Sequence, residues 1–312
     1  MGLFYQPFTI QQFMGFITLL LVIIAINEMT RRSLKVSIAV YCILPVLLAL
    51  GVYFGLLGSP SGKAWFGWVK VISALAGVYG FLLIRFTNLG KRKFAYYFPV
   101  AILALNIAEA VYREFQVFAS YKVATIDASG ILVQGGLWNV LNGISGILCI
   151  VTLTGFVGIR VSNDKSKDMI WPDMTWLYIV AYTIWNFAYV YNCLSTRSMY
   201  AGLTILSAAV LAELFLKRGA WLQHRAQTLS MFAMFSLSID YHQSQFLNIV
   251  PVYSESVLLG LGIASFVINV LVFISMLWVS MKYRKNPYKE EIYAHTPVLS
   301  KNTNNKSLRL ND

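Results

Sequence analysis

The sequence reads as an all-α, polytopic transmembrane helix bundle of about nine spans, with its N-terminus outside and its C-terminus cytoplasmic. Three observations point there. Only 12% of the residues are charged, against about 25% in soluble domains, while 58% are hydrophobic. The apolar residues fall in blocks of about 18 or more with few or no charges, long enough to cross a bilayer as helices. The basic residues gather in every second link between blocks, as the positive-inside rule requires.

The blocks follow one another with short links. Span 1 covers Phe8 to Asn27 and is closed by Arg31, Arg32 and Lys35. Span 2 covers Val36 to Leu57 and stops at the turn signal Gly58-Ser-Pro60-Ser-Gly62. Span 3 covers Trp65 to Phe86, with Lys70 near its start, and Arg85, Lys91, Arg92 and Lys93 mark its far end. Span 4, Phe94 to Phe118, leads into a polar link from Ser120 to Gln134, and span 5 covers Gly136 to Ile159. After Arg160, Lys165 and Lys167, span 6 opens behind Pro172 and Asp173, a candidate cap, and runs to Cys193. Span 7 covers Met199 to Leu216 and ends at Lys217 and Arg218. Span 8 is short, from Ala226 to Ile239, before a polar stretch with Asp240 and His242. Span 9 covers Ser256 to Met281, so residues 1–285 form the bundle and residues 286–312 a polar, disordered cytoplasmic tail.

This layout places all but Lys63, Lys70, Arg113, Lys122 and Arg197, five of the 25 Lys and Arg, on one side. Compact loops and no large soluble domain fit a multi-pass protein of a cell membrane, such as a bacterial inner membrane.

The net charge of +12 therefore belongs to topology. No basic stripe with stacking aromatics supports nucleic-acid binding. Cys42, Cys149 and Cys193 lie singly within apolar runs, which argues against a zinc or disulfide framework. No Walker A loop, dinucleotide loop, HExxH or nucleophile elbow is present. Three scattered histidines leave no paired haem or metal ligands, and no mid-span lysine suggests a retinal link. No cofactor and no metal are expected.

The chemistry lies in the polar residues inside the spans, which are costly at membrane depth and usually face a protein interior or a wet cavity. Asn106, Glu109 and Arg113 share one face of span 4. At 1.5 Å rise per residue, Glu109 falls in the outer half of the membrane. Asn139 and Asn142 of span 5, Asn186 and Tyr189 of span 6, and Asp240 and His242 after span 8 fall at overlapping depths. These predict a polar chamber in the outer half of the bundle, binding a small polar or ionic ligand or a proton. Asn106, Glu109, Arg113, Asn186, Tyr189, Asp240 and His242 are its candidate ligand contacts.

Other roles compete. Glu109 and Arg113 form an i, i+4 pair that can simply fix packing. Asn139, Asn142 and Asn269 suit hydrogen bonds between helices, the Tyr/Trp face of span 6 suits packing, and Glu213 precedes Lys217 in the favourable order for an interfacial pair. Three functional classes stay open: a secondary transporter or small-ligand permease; a sensor or scaffold without turnover; and a membrane-embedded enzyme with His242 or Asp240 as general base near Glu255.

Overall fold

The computed structural model describes residues 2–59, 62, 65–127, 130–241 and 244–293. Nine helical columns stand among these residues, one at each predicted block. They are α1 (Ile10–Arg32), α2 (Leu34–Tyr53), α3 (Trp65–Phe86), α4 (Tyr97–Ser120), α5 (Leu137–Val151), α6 (Trp176–Cys193), α7 (Ser195–Phe215), α8 (Trp221–Ser238) and α9 (Glu255–Tyr283). Six of them, α1, α2, α3, α4, α7 and α9, carry stretches long and apolar enough to cross a membrane. The chain is a membrane-embedded protein on that ground.

Burial is distributed as lipid would have it. The Leu44–Tyr53 part of α2 buries no residue, and Leu47, Leu105, Leu271 and Trp278 on α2, α4 and α9 face outward. An apolar surface of this extent suits a hydrocarbon solvent and not water. The less apolar helices α6 and α8 occupy the interior. Trp185, Tyr191 and Asn192 on α6, and Gln223, His224 and Met234 on α8, are all buried. A helix surrounded by protein can carry polar groups, provided each finds a partner.

Local chemistry sets the helix ends. Thr9 and Gln12 form a reciprocal capping box at the start of α1. Ser33 caps α2, which passes through a π-helical turn at Ala39–Ile43. Thr175 accepts the Tyr178 N–H to start α6, the role expected of Asp173 or a neighbour. α5 ends at Val151, well short of the expected Ile159. There Gly155 turns left-handed, with φ +57, and its N–H donates to Pro287 O at 2.8 Å. α4 and α5 pack closely at Gly146, where a Cβ would stand 2.4 Å from Val111 Cγ2.

Two short hairpins decorate opposite ends. Thr125–Ile126 pairs with Leu132–Val133, and Arg160–Val161 pairs with Met169–Ile170. The second folds into the bundle, with Asp168, Met169, Ile170 and Trp171 buried. The start of the expected disordered tail is also packed. Ile292 and Tyr293 are buried, Ile292 N–H donates to Asp173 Oδ2 at 2.9 Å, and Arg160 pairs with Glu291 at 3.2 Å. Composition suggested disorder, but the two aromatic and aliphatic residues before the polar end give this segment something to bury. Residues 294–312 lie outside the described residues.

Candidate functional site

A cavity of about 160 Å³ opens between α3, α4, α6, α8 and the α6–α7 junction. It extends along α3 from Gly67 to Phe81 and along α8 from Leu222 to Ser236, about 21 Å of helix at 1.5 Å per residue. It thus runs through much of the bundle and is not confined to one half, because two long helices line it lengthwise. Its walls are mainly apolar, with Leu103, Leu229 and Phe232 among them. The junction beside it is distorted: Ser195–Arg197 is a 3-10 turn and Ser198–Thr204 a π-helix, irregularities frequent at functional sites.

Three cations and no carboxylate line this cavity among the described residues: Lys70, Arg197 and Arg225. Lys70 pairs with Glu109, and Arg197 lies in the field of Asp127 and Asp240. Arg225 differs. Only 6% of it is exposed, and its Nη2 donates to Asn186 Oδ1 at 3.2 Å. Its Nε and Nη1 are buried with no acceptor among the described residues. Tyr182 faces the guanidinium at 6.0 Å. A buried guanidinium with two unsatisfied donors is a costly arrangement unless an anion or water completes it.

Of the predicted contacts, Asn106, Asn186 and Tyr189 line the cavity. Asn106 Nδ2 donates to its own helix, at Ile102 O, 2.8 Å away. Glu109 reaches the cavity only through Lys70. Arg113 turns to Asp127 and Gln116, so the i, i+4 pair with Glu109 does not form. Asp240 is half-buried beyond the end of α8 and does not line the cavity; His242 lies outside the described residues. Glu213 accepts the Gly219 N–H at 2.6 Å, leaving Lys217 to pair with Asp164.

Asn139 and Asn142 serve a different acid from the one expected. Glu114, two turns inside the end of α4, is fully buried. Asn139 Nδ2 donates to Oε2 and Asn142 Nδ2 to Oε1, each at 2.6 Å. Asn192 Nδ2 approaches Oε1 at 3.4 Å and Cys193 Sγ approaches Oε2 at 3.3 Å. No described cation forms a salt bridge with it. Sequence reasoning passed over Glu114, which closes a charged run, in favour of the face that Asn106, Glu109 and Arg113 share. Asn139 and Asn142, three residues apart on one helix face, were the signal that an acceptor stood opposite.

Arg225 was missed for a related reason. The charges around it suggested a loop, with a helix starting only at Ala226. The helix starts at Trp221, and Trp221, Leu222 and Gln223 are already buried, which carries Arg225 inside.

The opposite treatment of charge is found at the basic end of the bundle. Asp168 accepts Arg31 Nη1 at 2.6 Å and Gln223 Nε2 at 2.8 Å, and Arg85 Nη2 lies 3.7 Å away. Arg85 also donates to the carbonyls of Arg31, Ser166 and Lys167. Nearby, burial alone would raise the Asp164 carboxyl, but hydrogen bonds from Lys217, Ser166 and Ser162 hold it well below the usual carboxylate range.

Fold and cavity together define a helical membrane protein with a cation-lined internal chamber. The chain belongs to a family of unknown function, DUF5692, whose model matches residues 6–305. No curated protein and no solved structure matches it.

Proposed function

We propose that the protein binds a small organic anion in this cavity, as the binding step of a permease. The observation that carries the reading is Arg225, a buried guanidinium on a cavity wall whose Nε and Nη1 find no acceptor among the described residues. A guanidinium edge, made by Nε or Nη1 together with the second hydrogen of Nη2, suits a carboxylate or similar oxyanion. The apolar walls suit a hydrocarbon or aromatic body behind that headgroup. The volume favours a ligand smaller than a drug-sized molecule.

The cations are staggered in a way that suits passage. Lys70 lies near the start of α3, Arg197 at the α6–α7 junction, and Arg225 one turn into α8. With the basic helix ends cytoplasmic, the first two stand toward the exterior and Arg225 toward the cytoplasm. An anion crossing the cavity would pass a cationic side chain toward either end. The enzyme reading gains no support from the described residues: Asp240 is off the cavity, and Glu255 accepts Gln134 Nε2 at 2.6 Å.

The test uses purified full-length protein in detergent, with benzoate as probe and benzylamine as its cationic counterpart. Anything that binds only the folded state raises apparent stability. Benzoate at millimolar concentration should raise the unfolding temperature and benzylamine should not. Arg225→Gln should abolish the benzoate response. Benzoate uptake into proteoliposomes then separates a permease from a binding protein without turnover. A benzoate response that survives in Arg225→Gln would defeat the proposal.

A further inference from the structure

Glu114 of α4 sits beside the cavity, against a face of α6 next to the one that lines it. Asn186 and Tyr189 face the cavity, whereas Asn192 and Cys193 contact Glu114. Trp185 connects the two: its carbonyl accepts Asn142 Nδ2 at 3.3 Å, its Nε1 donates to Asn142 O at 3.1 Å, and its ring stacks on Tyr189. The donors around Glu114 are neutral, so they solvate a carboxylate without cancelling its charge.

Two atoms of this shell have no role in the ionised state. Asn142 Oδ1 and Asn192 Oδ1 are buried and accept no hydrogen bond among the described residues. Both belong to side chains whose Nδ2 faces Glu114 Oε1. Rotation of either amide would turn an oxygen toward Oε1, where it could accept a proton carried by the carboxyl. Asn139 has no such freedom, since its Oδ1 already accepts the Gly136 N–H at 2.9 Å. One side of the carboxyl is thus fixed in the donating sense, and the other has an amide that can serve either protonation state.

The surroundings bear on the direction of any coupling. On α4, Arg113 is engaged by Asp127 and Glu109 by Lys70 of α3. From α5 only the neutral amides Asn139 and Asn142 contact Glu114. α6 contributes Tyr189 and Cys193, and the segment before α9 contributes Tyr253. None of these neutralises a carboxylate at Glu114. An anion entering near Arg225 would therefore add a second negative charge to a region of low dielectric, which favours proton uptake at Glu114.

We propose that Glu114 is a proton-binding site coupled to the cavity, taking a proton at Oε1 as an anion binds and returning it as the anion leaves. The O–H bond forms with a proton drawn from water and breaks to return it there; no electron moves. The coupling rests on the anion reading of the cavity, whereas the proton site does not.

The experiment is infrared difference spectroscopy on the full chain in detergent, with and without benzoate, across neutral pH. A protonated-carboxyl band should grow as pH falls, grow again on adding benzoate at fixed pH, and be missing in Glu114→Gln. Glu114→Asp keeps an acid and should keep the band at a shifted frequency, which guards against a folding defect in the first variant. Benzoate affinity should weaken by up to about tenfold per pH unit as pH rises through the titration, and should be flat in Glu114→Gln. A titrating band in protein that never binds benzoate would support the proton site and reject the anion reading. No Glu114-dependent band would overturn the proposal, as would stabilisation by sodium that Glu114→Gln removes.

Discussion

Arg85 and Arg225 are both buried arginines, and the bundle treats them in opposite ways. Arg85 is 3% exposed, lies 3.7 Å from Asp168 and donates to three backbone carbonyls. Arg225 is 6% exposed, holds one asparagine oxygen and keeps two donor atoms without an acceptor among the described residues. The first arrangement joins α1, α3, α8 and the Arg160–Ile170 hairpin into one end of the bundle. The second leaves a charge facing a cavity. Pairing marks Arg85 as a structural charge; a charge with donors to spare, in a chamber with no carboxylate among the described residues, is what the proposed ligand site rests on.

The largest expected effect tests the paired side. Asp168→Ala leaves Arg31 and Arg85 buried without their shared carboxylate. Breaking a buried ion pair from one side typically costs about 3–5 kcal/mol. Unfolding in detergent should show a loss of that order, and Asp168→Asn, which keeps the Gln223 contact, should lose less. A loss below about 1 kcal/mol would put the cluster in the class of weak surface pairs and blur the contrast.

The second effect has the opposite sign. Arg225→Met removes a buried charge that no carboxylate compensates, and replacing such charges with apolar residues is often stabilising by about 1–4 kcal/mol. The Asn186 oxygen it leaves unpaired offsets part of that, so a gain of about 1–2 kcal/mol is expected, together with loss of benzoate binding. Destabilisation comparable to Asp168→Ala would make Arg225 another structural charge.

The contrast also explains what could be read from the sequence. Nine helices stand among the described residues where the apolar blocks placed them, because block length is dictated by the chemistry of the run itself. Trp65–Phe86 is matched to the residue. Position along each helix was readable as well, by counting residues. Lateral packing was not. Glu109 and Glu114 are five residues apart on one helix, yet one meets Lys70 at the rim and the other three asparagines in the interior. Which face of α4 meets α5 depends on contacts such as Gly146 against Val111, which no single-helix pattern records. The hairpin escaped notice because its Lys165 and Lys167 made it resemble a solvated loop, while Met169 and Ile170 fill the core.

Asp173 provides the finest test, since it lies outside the helices and holds the C-terminal segment with no salt bridge among the described residues. It accepts the N–H groups of Ile292 and Tyr293 at 2.9 and 3.3 Å. Burial, opposed by these hydrogen bonds and aided by the nearby Glu291 charge, pushes its carboxyl up to about 6. A folded-state value above the ordinary aspartate range means the docked form holds its proton more tightly than the detached form. Docking is therefore strongest below that ordinary range, weakens as pH rises through about 6, and is level above it. Hydrogen exchange at Ile292 and Tyr293, corrected for intrinsic rates, should show protection falling between the ordinary aspartate range and about pH 6, and level above that. Asp173→Asn should flatten that profile. Protection that instead rises with pH would mean the carboxylate binds the segment better than the acid does, so that hydrogen bonds and not burial govern this site.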